Sequence, residues 1–257
     1  PIVLYRHESV DISSGEYGEL LIFDSPNVQI SNVSVSTIRL YGVQSGGITN
    51  NRILYGDIGV FISNDTSNVL ISDNIIGYHL FGGIESESRN NVTISSNELL
   101  DDGVLAYPLS VTNGTNELNG LPIVSYYGVE EVVIKGKNFG EVLANCSNIS
   151  IISSHLHALY VEASNVAISD SSITGPNIVH ANASDIHIFG TDIGASTVFL
   201  HGDISIENST MNAYMLIIEA DSIFMRFNTF RVQAIVLSLH ENSTIYYNNF
   251  TDYQCIV

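Results

Sequence analysis

Basic residues are the first thing this sequence is short of. Its 257 residues hold 8 Lys and Arg against 27 Asp and Glu, for a net charge of −19. Binding to a nucleic-acid duplex or an anionic membrane requires clustered Lys and Arg, so both partners are excluded. Acidic residues are not in excess either, since all charged residues together make up 14% of the chain. The surface must therefore be built from Asn, Ser, Thr and Gly. Cysteine is nearly absent: Cys146 and Cys255 are the only two, and no Cys-x-x-Cys or Cys/His cluster suggests a zinc site. With 3 methionines there is no Met-rich cluster to hold Cu(I). No apolar run approaches the roughly 18 residues of a membrane-spanning helix. The chain opens on Pro1 with no charged-then-apolar leader, so it reads as a processed or trimmed product.

What the sequence has instead is a repeat. A polar residue followed by apolar-x-apolar recurs as NVQIS at Asn27, NVLIS at Asn68, NVTIS at Asn91 and NISII at Asn148. It continues as NVAIS at Asn165, DIHIF at Asp185, DISIE at Asp203, DSIFM at Asp221 and NSTIY at Asn242; a degenerate copy starts near Gly47. From Asn148 onward the steps are 17, 20, 18, 18 and 21 residues. Alternation places Ile149 and Ile151 on one face and Ser150 on the other, and Val166/Ile168, Ile186/Ile188 and Ile204/Ile206 repeat the pattern. A second strand recurs as EVLAN, LYVEA, IVHAN, TVFLH, MLIIE and IVLSL. Strands this short cannot bury a face alone. Stacked coil on coil at about 4.8 Å, they can. The pattern predicts an all-β fold, a right-handed parallel β-helix of about ten or eleven coils, forming one domain over residues 1–257. A sandwich would need hairpin turn signals between antiparallel neighbours, and a propeller would need a repeat about twice as long.

The rhythm breaks once. The step from Asn91 to Asn148 is 57 residues, with Asn113-Gly114 and Asn119-Gly120 flanking short apolar runs. This predicts a lateral hairpin excursion over 98–139, followed by re-entry into the coil stack. The run from Asn119 to Leu156 resembles archaeal NosD-like proteins of the CASH type, the carbohydrate-binding and sugar-hydrolase class of β-helix. Pro122-Ile123, Gly140, Asn145-Cys146 and Asn148-Ile149 match that pattern, and the flanking repeats, including YYNNF near Phe250, fit it. The resemblance implies the β-helix fold. It leaves open a role as an accessory protein, a sugar-active protein or an archaeal surface protein.

Asn-x-Ser/Thr occurs at Asn32, Asn64, Asn91, Asn113, Asn145, Asn148, Asn182, Asn208, Asn242 and Asn249. These ten sequons among 25 asparagines exceed chance, because Ser and Thr number only 45. β-Helix corners also favour Asn, Ser and Thr, which raises the count without any glycan. The reading adopted is N-glycosylation, and with it an extracellular, cell-surface location. Six coil steps place Cys146 and Cys255 about 29 Å apart along the axis, beyond the ~7 Å Cα limit of a disulfide. Any bridge between them would be intermolecular.

Catalytic sets are incomplete. Asp101-Asp102 is similar to the Asp-Asp of polygalacturonases, whose Asn-Thr-Asp, Gly-His-Gly and Arg-x-Lys motifs are missing. Glu85 and Glu87 share a strand face, a spacing that suits paired carboxylates. A lyase would need a base, and the C-terminal coils offer Arg226 and Arg231 without an acidic cluster. Stacking aligns Glu162, Asn182, His201 and Glu219 on one outward row, with His155, His157, His180 and His187 on nearby coils. Two plausible ligands, His201 and Glu219, do not define a metal centre. No catalytic residue, metal or cofactor is therefore assigned. Ending on an apolar strand, YQCIV suggests that another chain completes the edge. The expected function is a secreted, N-glycosylated structural subunit of a cell-surface layer or filament, assembled as a homo-oligomer or polymer through its solenoid ends. The alternative is an extracellular carbohydrate-binding or carbohydrate-processing β-helix.

Overall fold

The computed structural model describes residues 1–88, 90–106, 111–112, 115–175, 178–239 and 243–251, together with the backbone of 255–256. The described residues contain strands and turns and no helix. The fold is a parallel β-solenoid of about 13 turns. That is more than the ten or eleven coils expected, and the extra turns come from the segment between Asn91 and Asn148. There Val111 bridges in parallel to Ile94, and Val132 and Ile134 are buried like the apolar pair of any other coil. Contacts divide the chain into two compact units, Pro1–Ser125 and Tyr126–Val257.

In the first unit, Val10–Ile12, Asn27–Ser31, Ser45–Thr49, Val69–Ser72 and Val92–Ser95 form one parallel sheet. Its register stacks Ile12, Ile30, Ile48, Ile71 and Ile94 in one row. On another wall Ile53, Ile76, Leu99 and Leu118 stack likewise, all with no exposed surface. Glu98–Leu100 and Glu117–Leu118 thus lie in parallel register within the stack. The chain reverses locally at Asn119-Gly120, where Leu118 pairs antiparallel with Leu121.

In the second unit the long strands Asn138–Ile152, His155–Ser169, Ile178–Phe189 and Asp192–Glu207 bend around the corners, keeping register except for one shift between Asn182 and Asp185. Val142, Leu159, Val179, Val198, Leu216 and Ile235 form an inner row, all buried. Phe230 is buried in a second row and stacks on Phe250 in the next coil, with centroids 4.8 Å apart. Each such side chain contributes about 1.5–3 kcal/mol of transfer free energy.

One corner is held by buried polar side chains rather than apolar ones. Asn51, Asn74, Asn97 and Asn116 stack inside the first unit. Each amide oxygen accepts the backbone N–H one coil earlier: Asn51 N to Asn74 Oδ1 is 2.9 Å, and Asn74 N to Asn97 Oδ1 is 3.1 Å. Each Nδ2 donates to a carbonyl, those of Ile30, Ile48, Ile71 and Ile94 in turn. The preceding residues Asn50, Asp73 and Ser96 have φ of 57°, 58° and 57°, left-handed conformations that Asn and Asp tolerate best among residues with a Cβ. The tight turn strands a buried N–H and a buried C=O at each level, and the side-chain ladder satisfies both. Ser154, Ser171, Thr191, Ser209, Asn228 and Asn248 continue the device in the second unit, with Ser209 N to Asn228 Oδ1 at 2.9 Å.

Candidate functional site

The second unit carries an open polar groove of about 710 Å³. Its origin is a difference in corner length. In register, Glu162 pairs with Asn182, Asn182 with His201 and His201 with Glu219. The expected outward row is therefore formed. From Asn182 the next strand begins at Asp185, whereas from His201 it begins at Asp203, and the register shifts there. One coil thus turns with a residue fewer than its neighbour, leaving a notch. Gly202 makes that turn with φ of 135°, and a Cβ would overlap the Ala183 carbonyl oxygen.

The notch is lined by Asn145, Glu162, Asn182, His201, Asp203 and Asp221, among others. Glu162 is held from two sides: Asn145 Nδ2 donates to Oε2 at 3.1 Å and the Tyr160 hydroxyl donates to Oε1 at 3.0 Å. Asp203 Oδ1 accepts from the backbone N–H and the hydroxyl of Ser222 at 3.0 and 3.1 Å. Two residues upstream on the same face, Tyr160, His180 and Phe199 stack with centroids 4.7 and 4.9 Å apart. Burial in that stack pushes the His180 pKa down, with Glu162 opposing and His201 adding to the shift. The arrangement offers hydroxyl-binding carboxylates beside an aromatic ladder. Among the described residues, no group of three or more His, Cys, Asp or Glu could hold a metal ion.

The other histidines are dispersed. His155 and His157 meet edge to face at 5.3 Å, and His187 lies on a different sheet row, paired with Ala167 and Ser205.

The first unit separates the two aspartates that sequence placed side by side. Asp101 is exposed, with φ of 60°, and bonds to Asn119. Asp102 turns inward and pairs with His79, a residue that sequence reasoning missed. Nδ1 of His79 lies 2.6 Å from Asp102 Oδ2, and both side chains are buried. Nε2 lies 3.1 Å from the Ser36 carbonyl oxygen, which can only accept, so Nε2 carries a hydrogen. The Asp102 carboxylate also accepts the backbone N–H of His79 at 3.0 Å. The buried pair and its contact with the Ser36 carbonyl tie three coils together. A signal existed: Asn51, Asn74 and Asn97 are spaced 23 residues apart, and so are His79 and Asp102.

Glu85 and Glu87 do share a face. Burial pushes the Glu85 pKa up, and the Glu87 charge adds to the shift. Arg226 pairs with Glu207 and lies over the rings of Phe224 and Phe227, 5.4 and 5.7 Å from their centroids. Arg231 is exposed.

Among the sequons, Asn32, Asn64, Asn91, Asn148, Asn182, Asn208 and Asn249 are exposed and Asn145 is half-buried. Asn113 and Asn242 lie outside the described residues, as does the Cys255 side chain. Cys146 is a half-buried free thiol whose pKa is raised by burial. Its backbone pairs with Ala163, and that of Cys255 with Ala234.

No protein-family model, curated protein or solved structure matches this chain.

Proposed function

We propose that this chain is an N-glycosylated structural protein of the extracellular surface, a subunit of a surface layer or filament. The observation that carries the reading is the placement of the sequons: seven of the eight described sequon asparagines are exposed. A glycan there points into solvent without disturbing the inner rows. The shortage of basic residues fits a surface that repels polyanions. Each coil pairs only with the coils directly before and after it, so stacking end to end uses the same backbone groups at every level. The likeness of the Pro122-to-Asn148 run to NosD-like, CASH-type repeats agrees with an archaeal surface protein. Glycopeptide mass spectrometry and electron microscopy of protein from its native source test this reading. Occupied sequons on regular filaments or a lattice support it; a glycan-free, monomeric rod overturns it.

A second reading is favoured by the groove and by two exposed aromatic pairs. Tyr55 and Tyr78 stack at 5.4 Å, as do Phe227 and Tyr247. All four have positive φ, a conformation that among the other described residues is held by Asn, Asp, Ser and Gly and by Arg6. Bulky residues hold this conformation at a cost of about 1–2 kcal/mol. Exposed rings beside polar groups are the surface that a saccharide would use. Saccharide binding by glycan-free protein would support this alternative.

A further inference from the structure

We propose that the notch at Gly202 is the seat of a saccharide that the chain carries itself, attached at Asn182. This rests on the reading of the sequons as glycosylated. It goes further by assigning one glycan a fixed place on the fold.

Three independent features meet there. First, the shortened corner opens a polar groove, and its volume of about 710 Å³ lies in the range of sites that enclose organic ligands. Second, Asn182 lines that groove and begins the sequon Asn182-Ala183-Ser184. Its side chain is exposed, and among the described residues its amide makes no hydrogen bond. The other lining sequon differs: Asn145 donates its amide to Glu162 at 3.1 Å. Nearby Asn148 donates to the Glu130 carbonyl at 3.4 Å and accepts from Asn165 at 2.6 Å. Asn182 is thus the groove asparagine with a free amide. Third, register places Glu162 one coil to one side of Asn182 and His201 one coil to the other. At about 4.8 Å per coil these groups flank the first sugar. Glu162 is already fixed by Asn145 and Tyr160, so it meets a sugar hydroxyl without being reoriented.

The attachment needs a saccharide activated on a lipid phosphate and a transferase. Nδ2 of Asn182 forms the bond to the anomeric carbon while the bond from that carbon to the phosphate oxygen breaks. The lipid phosphate leaves with the electron pair, and one amide proton is released. No electron transfer is involved.

The test compares glycosylated protein with its N182Q variant, using glycopeptide mass spectrometry and amide hydrogen exchange. We expect Asn182 to be occupied. Backbone exchange over residues 161–164 and 201–204 should be several-fold slower in the glycosylated protein than in N182Q, with exchange around Asn32 and Asn64 unchanged. Asn182 left bare while other sequons carry glycan overturns this inference and leaves the glycoprotein reading standing. So does an occupied Asn182 whose loss leaves exchange in the groove unaltered. A chain without glycan at any sequon overturns the glycoprotein reading itself, and this inference with it. To control for a folding defect, S184A removes the same sequon while leaving the Asn182 side chain in place. It should reproduce the N182Q exchange pattern.

Discussion

Substitution at Asn74 gives a graded test of the buried ladder. Asn74 accepts from Asn51 N at 2.9 Å and Asn51 Nδ2 at 3.0 Å, and it donates to the Ile48 carbonyl at 2.8 Å and Asn97 Oδ1 at 2.9 Å. Asn74→Ala strands the Asn51 N–H and the Ile48 C=O in a dry corner. Each unsatisfied buried group costs about 1–3 kcal/mol, so the loss is about 2–6 kcal/mol. Asn74→Ser should cost less, about 1–2 kcal/mol. The protein itself shows why: Ser171 fills the same slot and accepts the Ser154 N–H at 3.2 Å. Asn74→Asp should be at least as harmful as Ala, because a carboxylate would face the Ile48 carbonyl and Asn97 Oδ1, both acceptors. The assay is urea unfolding, reading the midpoint at constant slope. The reasoning fails if Ser and Ala cost the same, or if Asp is tolerated as well as Asn.

The remaining predictions concern single contacts. Asp102→Ala should destabilise by about 3–5 kcal/mol by leaving Nδ1 and the backbone N–H of His79 without their partner, and His79→Leu with Asp102→Leu should recover much of that loss in a double-mutant cycle. A cost under about 1 kcal/mol for Asp102→Ala would show that the pair holds nothing. Gly202→Ala should destabilise strongly through overlap with the Ala183 carbonyl, whereas Gly120→Ala, with open space around its Cβ position, should cost only its positive-φ penalty of about 1 kcal/mol; equal thermal shifts would refute the notch geometry. Glu85 has its pKa raised in the fold, so its contribution to stability is largest at low pH and falls as pH rises through the folded-state value. Glu85→Gln should therefore stabilise at neutral pH by under about 1 kcal/mol, a gain that disappears under acid conditions, as unfolding curves at several pH values will show.

The inner rows were legible because they depend on a single property, alternation. Ile149/Ile151 and Val166/Ile168 announce a buried face whatever the corners do. The outward row Glu162–Asn182–His201–Glu219 followed from the same arithmetic. The coil count did not follow, because Val132 and Ile134 are opened by Glu131 rather than Asn or Asp and have the apolar Val133 between them, which hides the alternation, and Val111 makes only a bridge. Asp101 and Asp102 read as a pair because adjacent letters look alike. A positive φ at Asp101 sends the two side chains to opposite sides of the wall, a decision made by the backbone. The notch was written in the steps, 19 residues from Asn182 to His201 but 18 from Asp185 to Asp203. Its meaning required knowing that both ends of the corner stay in register.

The register also gives each unit a mechanical direction. Asn138–Ile152 and His155–Ser169 share thirteen paired residues, and their hydrogen bonds run along the stacking axis. A pull along that axis strains the bonds of one interface at a time and peels coils away in sequence. A pull along a strand loads the whole interface in shear, so all the bonds must yield together. Under tension the unit is stronger in the second direction, and the points at which force is applied decide which of the two it meets.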